Sequence, residues 1–350
     1  MTLEVRMAAV APGDVGLAKA AGGVSNGTCW CGSSGHWRPA PHAAYLICAA
    51  CGTAVLRPEH HVDTGQVERE DDHLYGAGYW NEHMVKYGYP TIEERRRADI
   101  PERCQHWLKW LLEYKVPPGR LLEVGCSHGG FVKLASLAGF DALGMEMSPA
   151  VIGMARSWFG VEVLQGPLES VADPPRGLDA VLMFDVIEHF SDPLATMDGL
   201  SRCLADEGIL VLQTPCFDKA HDPVSSFALM YKVPEHTFLF SRASIRQLLG
   251  RLGFTHVEEQ APLFPYDMFL FASRRPLQRQ GMTRIADALS STPNGRMALA
   301  MLDLRGQLEQ TRAELAAVVA DPSVRVGFRP MLRSLVRAFA KAIARRLGGG

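Results

Sequence analysis

From residue 120 onward the chain alternates short apolar runs with amphipathic segments, and this alternation narrows the choice of fold more than any other feature. Strand-like runs fall at 121–124, 142–145, 161–164, 180–184 and 209–212. Helical patterns fall at 130–138, 149–159, 193–205 and 242–252. Continuous apolar strands separated by helices belong in a parallel sheet covered on both faces. Ser148 and Ser241 stand where helix N-caps are needed, and Pro149 suits a first helical turn. Two more strand candidates, 254–259 and 268–273, flank a short loop with Pro262, Pro265 and Tyr266, which predicts an antiparallel pair at the sheet edge. Upstream, 92–114 reads as a charged helix ending in Trp107, Leu108, Trp110, Leu111 and Leu112, an apolar face for packing on the sheet and covering a ligand mouth.

A chain of 350 residues has room for one large α/β domain with smaller attachments, and 47% hydrophobic residues suffice for its core. A net charge of -2 supplies no general attraction to nucleic acid, so no such partner is expected. No apolar run approaches the roughly 20 residues that span a bilayer. The Ala- and Gly-rich stretch 1–28 lacks the charged-then-apolar order of a signal peptide and is expected to be a flexible lead. A cytoplasmic protein is the default expectation.

Cys29 and Cys31, then Cys48 and Cys51, form two close pairs, followed respectively by Gly32 and Gly52. Two such pairs can present four thiolates to one tetrahedral zinc, with glycine at each knuckle turn. Four protein ligands close the coordination sphere, so the zinc is expected to be structural and to supply the folding energy of a module at 29–60. His36 and His42 are alternative ligands. A helical, lid-like region is expected at 61–118.

The first strand runs into the sequence EVGCSHGG at 123–130. Small residues let the backbone turn sharply beside a helix N-terminus and approach a ligand. Gly125, Ser127 and Gly130 fit a degraded dinucleotide fingerprint; Gly125, Ser127 and Gly129 fit an S-adenosylmethionine (SAM) loop. Glu123 inside the strand end favours the second, because a carboxylate there can accept from an ammonium group. Glu146, closing the next strand, suits a ribose in either case. The fourth strand exits through DVIEH at 185–189, then Asp192 and Pro193.

With these motifs in order, residues 119–276 resemble a class I SAM-dependent methyltransferase. The resemblance implies a Rossmann-like α/β fold with a seven-stranded, mostly parallel sheet whose last strand is antiparallel. It assigns Glu123, Gly125, Cys126, Ser127 and Gly129 to the methionine part of SAM, and Glu146 with Met147 to the ribose. It places Pro167 and Leu168 beside the adenine, and Asp185 with Val186 beneath the sulfonium. Ser127 stands where many relatives carry glycine.

Methyl transfer needs a nucleophile aligned with the methyl group and stripped of its proton, a task for a histidine titrating near neutrality. Glu235 and His236, on the segment after the fifth strand, are the candidate carboxylate and general base; His189 is a further catalytic candidate. The E-H-x-x-x-F-S pattern at 235–241 and the cysteine-rich front are similar to methyltransferases of nucleotide-linked deoxysugars. Those enzymes often carry tyrosine two positions before the Glu-His pair, where this chain has Val233, which favours O- over C-methylation. Tyr75, Tyr79 and Trp80 are candidates for an aromatic lid. The competing readings are a quinone, polyketide or other small-phenol acceptor, and a non-catalytic SAM-binding scaffold.

At 281–321 a helical segment carries Met297, Met301, Leu304, Leu308, Thr311, Leu315 and Val318 at alternating spacings of four and three, a short heptad seam suited to a homo-oligomer. The last segment, 325–350, is basic and amphipathic, the pattern of a helix that lies on an anionic membrane surface. Peripheral contact at the inner membrane would suit a glycan acceptor.

Overall fold

The computed structural model describes residues 28–61, 78–80, 84–86, 88–220 and 230–320. The expected lead, Tyr75 and the basic tail at 325–350 lie outside the described residues.

The front segment forms three short strands, β1 (Trp37–Pro39), β2 (Tyr45–Cys48) and β3 (Ala54–Leu56), paired antiparallel in that order. Next come α1 (Met84–Lys86), α2 (Ile92–Ala98) and α3 (Gln105–Leu112). Thr91 and Glu94 close a capping box on α2, satisfying donors that a helix start leaves open. The helix expected over 92–114 is broken by a π-helical stretch, Ile100–Cys104. Pro101 lacks the N–H that an α ladder requires there, so the hydrogen-bond pattern widens.

The central sheet contains β4 (Arg120–Val124), β5 (Asp141–Glu146), β6 (Val163–Gln165), β7 (Leu178–Phe184) and β8 (Leu204–Pro215), all parallel. Between them run α4 (Gly130–Ala138), α5 (Pro149–Phe159) and α6 (Pro193–Ser201). After β8 come β9 (Phe238–Leu239), α7 (Arg242–Arg251), β10 (His256–Gln260) and β11 (Asp267–Ser273). The spatial order is β10-β11-β8-β7-β4-β5-β6, with β11 antiparallel to both neighbours. This is the α/β sheet that the resemblance implied. The side chains of Ser148 and Ser241 accept from Val151 N–H and Ser244 N–H, capping α5 and α7.

Two further features depart from the sequence reading. The helix expected at 193–205 stops at Ser201, and β8 already begins at Leu204. Its register against β7 shifts between Leu178 and Ala180. A Cβ on Gly208 would lie 2.7 Å from Leu178 O, so glycine permits this close approach. The second departure is that the front sheet is completed from the other end of the chain. β9 pairs antiparallel with β3, Ala54 opposite Leu239 and Val55 opposite Phe238.

The core is apolar on both faces of the sheet. Leu122, Val181, Met183, Leu210, Leu212 and Leu270 are fully buried. Trp107 of α3 stacks on Phe184 with centroids 3.9 Å apart, and its indole N–H donates to Gln213 Oε1 at 3.0 Å. That contact fixes the helical segment over the carboxyl ends of the strands.

The chain divides after residue 299 into two units. The first ends with α8 (Met282–Ser290) and the beginning of α9 (Pro293–Ala320). In the second unit, Leu304, Leu308, Leu315 and Val318 of the expected seam are exposed. No helix among the described residues is long and apolar enough to cross a membrane.

Phe271 is fully buried in β11, its ring stacked 4.4 Å from Tyr114. Phe271→Ala is expected to lower the unfolding free energy by about 3–5 kcal/mol in urea titrations, the cost of a large aromatic cavity.

Candidate functional site

The site begins where β4 ends. Gly125 has φ 70°, Ser127 φ 49° and Gly129 φ 80°. A Cβ on Gly125 would lie 2.6 Å from Val186 Cγ2. Glycine is therefore required twice over at 125, by conformation and by space. The turn delivers the N-terminus of α4 to a cavity of ≈ 620 Å³, a size typical of small-molecule sites.

Glu123 is buried beneath this turn, and its Oε2 has no hydrogen-bond partner among the described residues. Burial pushes its carboxyl well above the usual carboxylate range, and Glu146 adds to the shift. A cationic ligand group arriving at Glu123 would reverse that penalty. Glu146 is held by backbone donors. Its Oε2 accepts from Ser127 N–H at 3.0 Å, and its Oε1 from Met147 N–H and Ser148 N–H at 2.8 and 3.2 Å. Cys126, Met147, Pro167, Leu168, Asp185 and Val186 line the same cavity. The expected cofactor residues thus come together around one space, with Gly129 behind the turn against Val161 and Ala155.

A polar group that the sequence reading missed lies beside them. Asp99 accepts from Arg95 Nε at 2.9 Å and faces His128 Nε2 at 3.2 Å. His128 Nδ1 accepts from Gly130 N–H, so its Nε2–H is the donor to Asp99. Arg103 stands 3.6 Å from Asp99 and 3.8 Å from Asp185, and Gln213 Nε2 donates to Asp185 Oδ1. Burial would raise the Asp99 carboxyl, but His128, Arg95 and Arg103 outweigh it and hold it below the usual range. Four separate segments, at 95–103, 128–130, 185 and 213, make this cluster, and no local pattern announces it.

Of the catalytic candidates, His189 and His236 line the same cavity, while Glu235 is buried outside its lining. His189 Nδ1 lies 2.9 Å from Glu235 O, and His236 Nδ1 lies 2.7 Å from Met230 O. A carbonyl oxygen only accepts, so each Nδ1 carries its proton and each Nε2 the lone pair of a neutral ring. Burial pulls both imidazoles below their usual pKa, His236 well below with help from His189 and Lys232. The two rings meet edge to face, centroids 4.9 Å apart.

Glu235 and His236, adjacent in sequence, take separate partners. Glu235 accepts from Tyr79 O–H at 2.9 Å, while His236 donates to the Met230 carbonyl. Successive side chains on this loop point apart. Glu188 is fully buried; its Oε2 accepts from Thr214 Oγ1 at 2.9 Å. Burial, with Asp185 adding to it, pushes the Glu188 carboxyl up to about 8. The N-cap of α6 is Asp192, accepting from Ala195 N–H. Tyr79 and Trp80 meet edge to face at 5.1 Å, and both line the cavity.

The front segment reaches this loop directly. Tyr45 O–H donates to His236 O at 2.7 Å, Leu56 N–H to Thr237 O, and Thr237 N–H to Glu188 O. Its four cysteines are buried together, with Cys29 Sγ 3.6 Å from Cys51 Sγ and Cys31 Sγ 3.7 Å from Cys48 Sγ. A tetrahedron with metal–sulfur distances of about 2.3 Å has edges of about 3.8 Å, so the four thiols fit a zinc ion. His42 is engaged elsewhere, stacked on Tyr231 at 5.1 Å.

Strand order, glycine turn and acidic strand ends are arranged as in the Rossmann-like fold of class I methyltransferases. Residues 94–259 match the family described as a methyltransferase domain. A ubiquinone biosynthesis O-methyltransferase from Xanthomonas campestris pv. campestris is 29% identical over 33% of this chain and 54% of its own. A probable S-adenosylmethionine-dependent methyltransferase from Mycobacterium tuberculosis is 28% identical over 39% and 49%. The chain thus spans about half the length of these relatives. The magnesium protoporphyrin IX methyltransferase from Synechocystis PCC 6803, solved with bound SAH, is 18% identical over 57% of this chain and 98% of that one, with a TM-score of 0.44.

Two outcomes are expected. Gly125→Ala should weaken SAM binding about tenfold or more by calorimetry, since a side chain at positive φ costs roughly 1–2 kcal/mol before the clash with Val186. Tyr45→Phe should lower kcat while leaving the KM for SAM unchanged, because it releases the His236 backbone and leaves the cofactor turn alone.

Proposed function

We propose that the protein is a SAM-dependent methyltransferase acting on an oxygen, with a sugar hydroxyl of a nucleotide sugar or surface glycan as acceptor. The observation that carries this reading is a single cavity joining the Glu123–Glu146 turn to the neutral imidazoles of His189 and His236. SAM supplies an electrophilic methyl group on a sulfonium. Glu123 would receive its ammonium group, Glu146 its ribose hydroxyls, and Pro167 and Leu168 would flank the adenine. His236, neutral and with its lone pair on Nε2, activates the acceptor hydroxyl. Tyr79 and Trp80 cover the acceptor side.

Oxygen as the acceptor atom is supported by relatives named as O-methyltransferases. The sugar is supported by the E-H-x-x-x-F-S pattern alone. A quinone or other phenol is the second reading, favoured by the relatives named for ubiquinone biosynthesis. We further propose that Cys29, Cys31, Cys48 and Cys51 bind a structural zinc, supported by the sulfur spacings.

The test is incubation with methyl-labelled SAM and a panel of nucleotide sugars, glycans and phenols, read by mass spectrometry. Label on a sugar oxygen is expected, with turnover falling by about two orders of magnitude or more in His236→Ala, the usual weight of such a group. Label on phenols alone would overturn the sugar reading. His236→Ala that keeps full turnover would overturn the role of the imidazole.

A further inference from the structure

Glu188, His189 and His236 each place one ligating atom within 4.8 Å of the others. They come from the exit of β7 and the loop before β9, and all three line the acceptor end of the cavity. From this geometry we infer that they form a binding site for a divalent cation, whose open positions take the oxygens of the acceptor.

Both imidazoles are preorganised as ligands. A metal-bound histidine usually spends its second nitrogen on a carbonyl or carboxylate, which fixes the ring and its tautomer. His189 Nδ1–H is spent on Glu235 O and His236 Nδ1–H on Met230 O. Glu188 is oriented in the same manner. Thr214 Oγ1 holds one carboxylate oxygen, while Oε1 is buried with no partner among the described residues. A carboxylate oxygen without a donor is costly in a buried site, and a cation removes that cost.

The surrounding charges point the same way. Asp185, Glu188 and Asp267 line the cavity, against Lys232 and Arg103. Neither oxygen of the buried Asp267 has a hydrogen-bond partner among the described residues. Two imidazoles and one carboxylate suit a borderline or hard divalent ion such as Mn2+, Fe2+ or Zn2+. Three protein ligands leave positions for exogenous oxygen, in contrast to the four cysteines, which close their sphere. An acceptor presenting two adjacent oxygens, a vicinal diol or a catechol, would chelate such an ion and gain acidity at the bound hydroxyl; with the cation in place His236 acts as its ligand, and the ion takes over from the free imidazole the task of activating that hydroxyl.

The acceptor part of this inference rests on the methyl-transfer reading; the cation part does not. The test titrates the full chain, its cysteine site filled with zinc, with Mn2+ and follows loss of the free-ion electron paramagnetic resonance signal. Mn2+ does not displace zinc from thiolates, so the two sites stay separate. One Mn2+ per chain is expected, bound about tenfold or more weakly by Glu188→Gln and by His189→Gln, with circular dichroism and SAM affinity unchanged. Glu188→Gln is isosteric and keeps an acceptor for Thr214, so it decides the matter if the histidine variant does not fold. No Mn2+ binding at millimolar concentration, or binding that Glu188→Gln leaves intact, overturns the site. Methyl transfer without Mn2+ binding overturns the cation and keeps the activity; Mn2+ binding without methyl transfer does the reverse.

Discussion

The pairing of Ala54 with Leu239 and Val55 with Phe238 is the contact on which the His189–His236 side of the cavity depends. Two residues on each strand join the front sheet to the loop before α7. That loop carries Glu235 and His236, and its backbone is held at His236 by Tyr45 and at Thr237 by Leu56. A loop over the mouth of a cavity would ordinarily carry few fixing contacts and sample many conformations. Here it is one edge of a sheet whose far end holds the cysteine cluster. Metal in that cluster, an element of the front fold, would therefore bear on the placement of an imidazole in the cavity.

The cofactor half has a different support. It is built at the ends of β4, β5, β6 and β7, and Gly125 decides how near the backbone can come to Val186. Buried groups around it are arranged in complementary fashion. Glu123 Oε2 has no partner among the described residues, while Asp99 is surrounded by donors: Arg95, His128 and Arg103. A zwitterionic amino-acid group, with one cation and one anion, matches a site with one unpaired carboxylate near paired guanidinium groups.

Much of this was legible in the chain itself, for identifiable reasons. Strands and helices of the central sheet follow from local apolar period, and α4 and α5 begin and end where their glycine and serine signals stand. The cysteine spacing foretold the gathering of four thiols. What was not legible is long-range. A two-residue strand such as β9 has no period to read, and its partner lies some 180 residues earlier. The Tyr79–Glu235 bond and the Asp99 cluster likewise join distant segments, and sequence adjacency does not reveal them: Glu235 turns to Tyr79 while His236 turns to Met230. The close approach of β8 to β7 at Gly208, just after α6 ends at Ser201, is likewise a tertiary constraint that helix propensity does not register.

The most direct measurement of the central claim is calorimetric titration of the protein with SAM and, separately, with NADH. One SAM per chain, little NADH binding, and a large loss of SAM affinity in Glu123→Ala are expected. Tight NADH binding with none for SAM, or SAM affinity indifferent to Glu123, would contradict it.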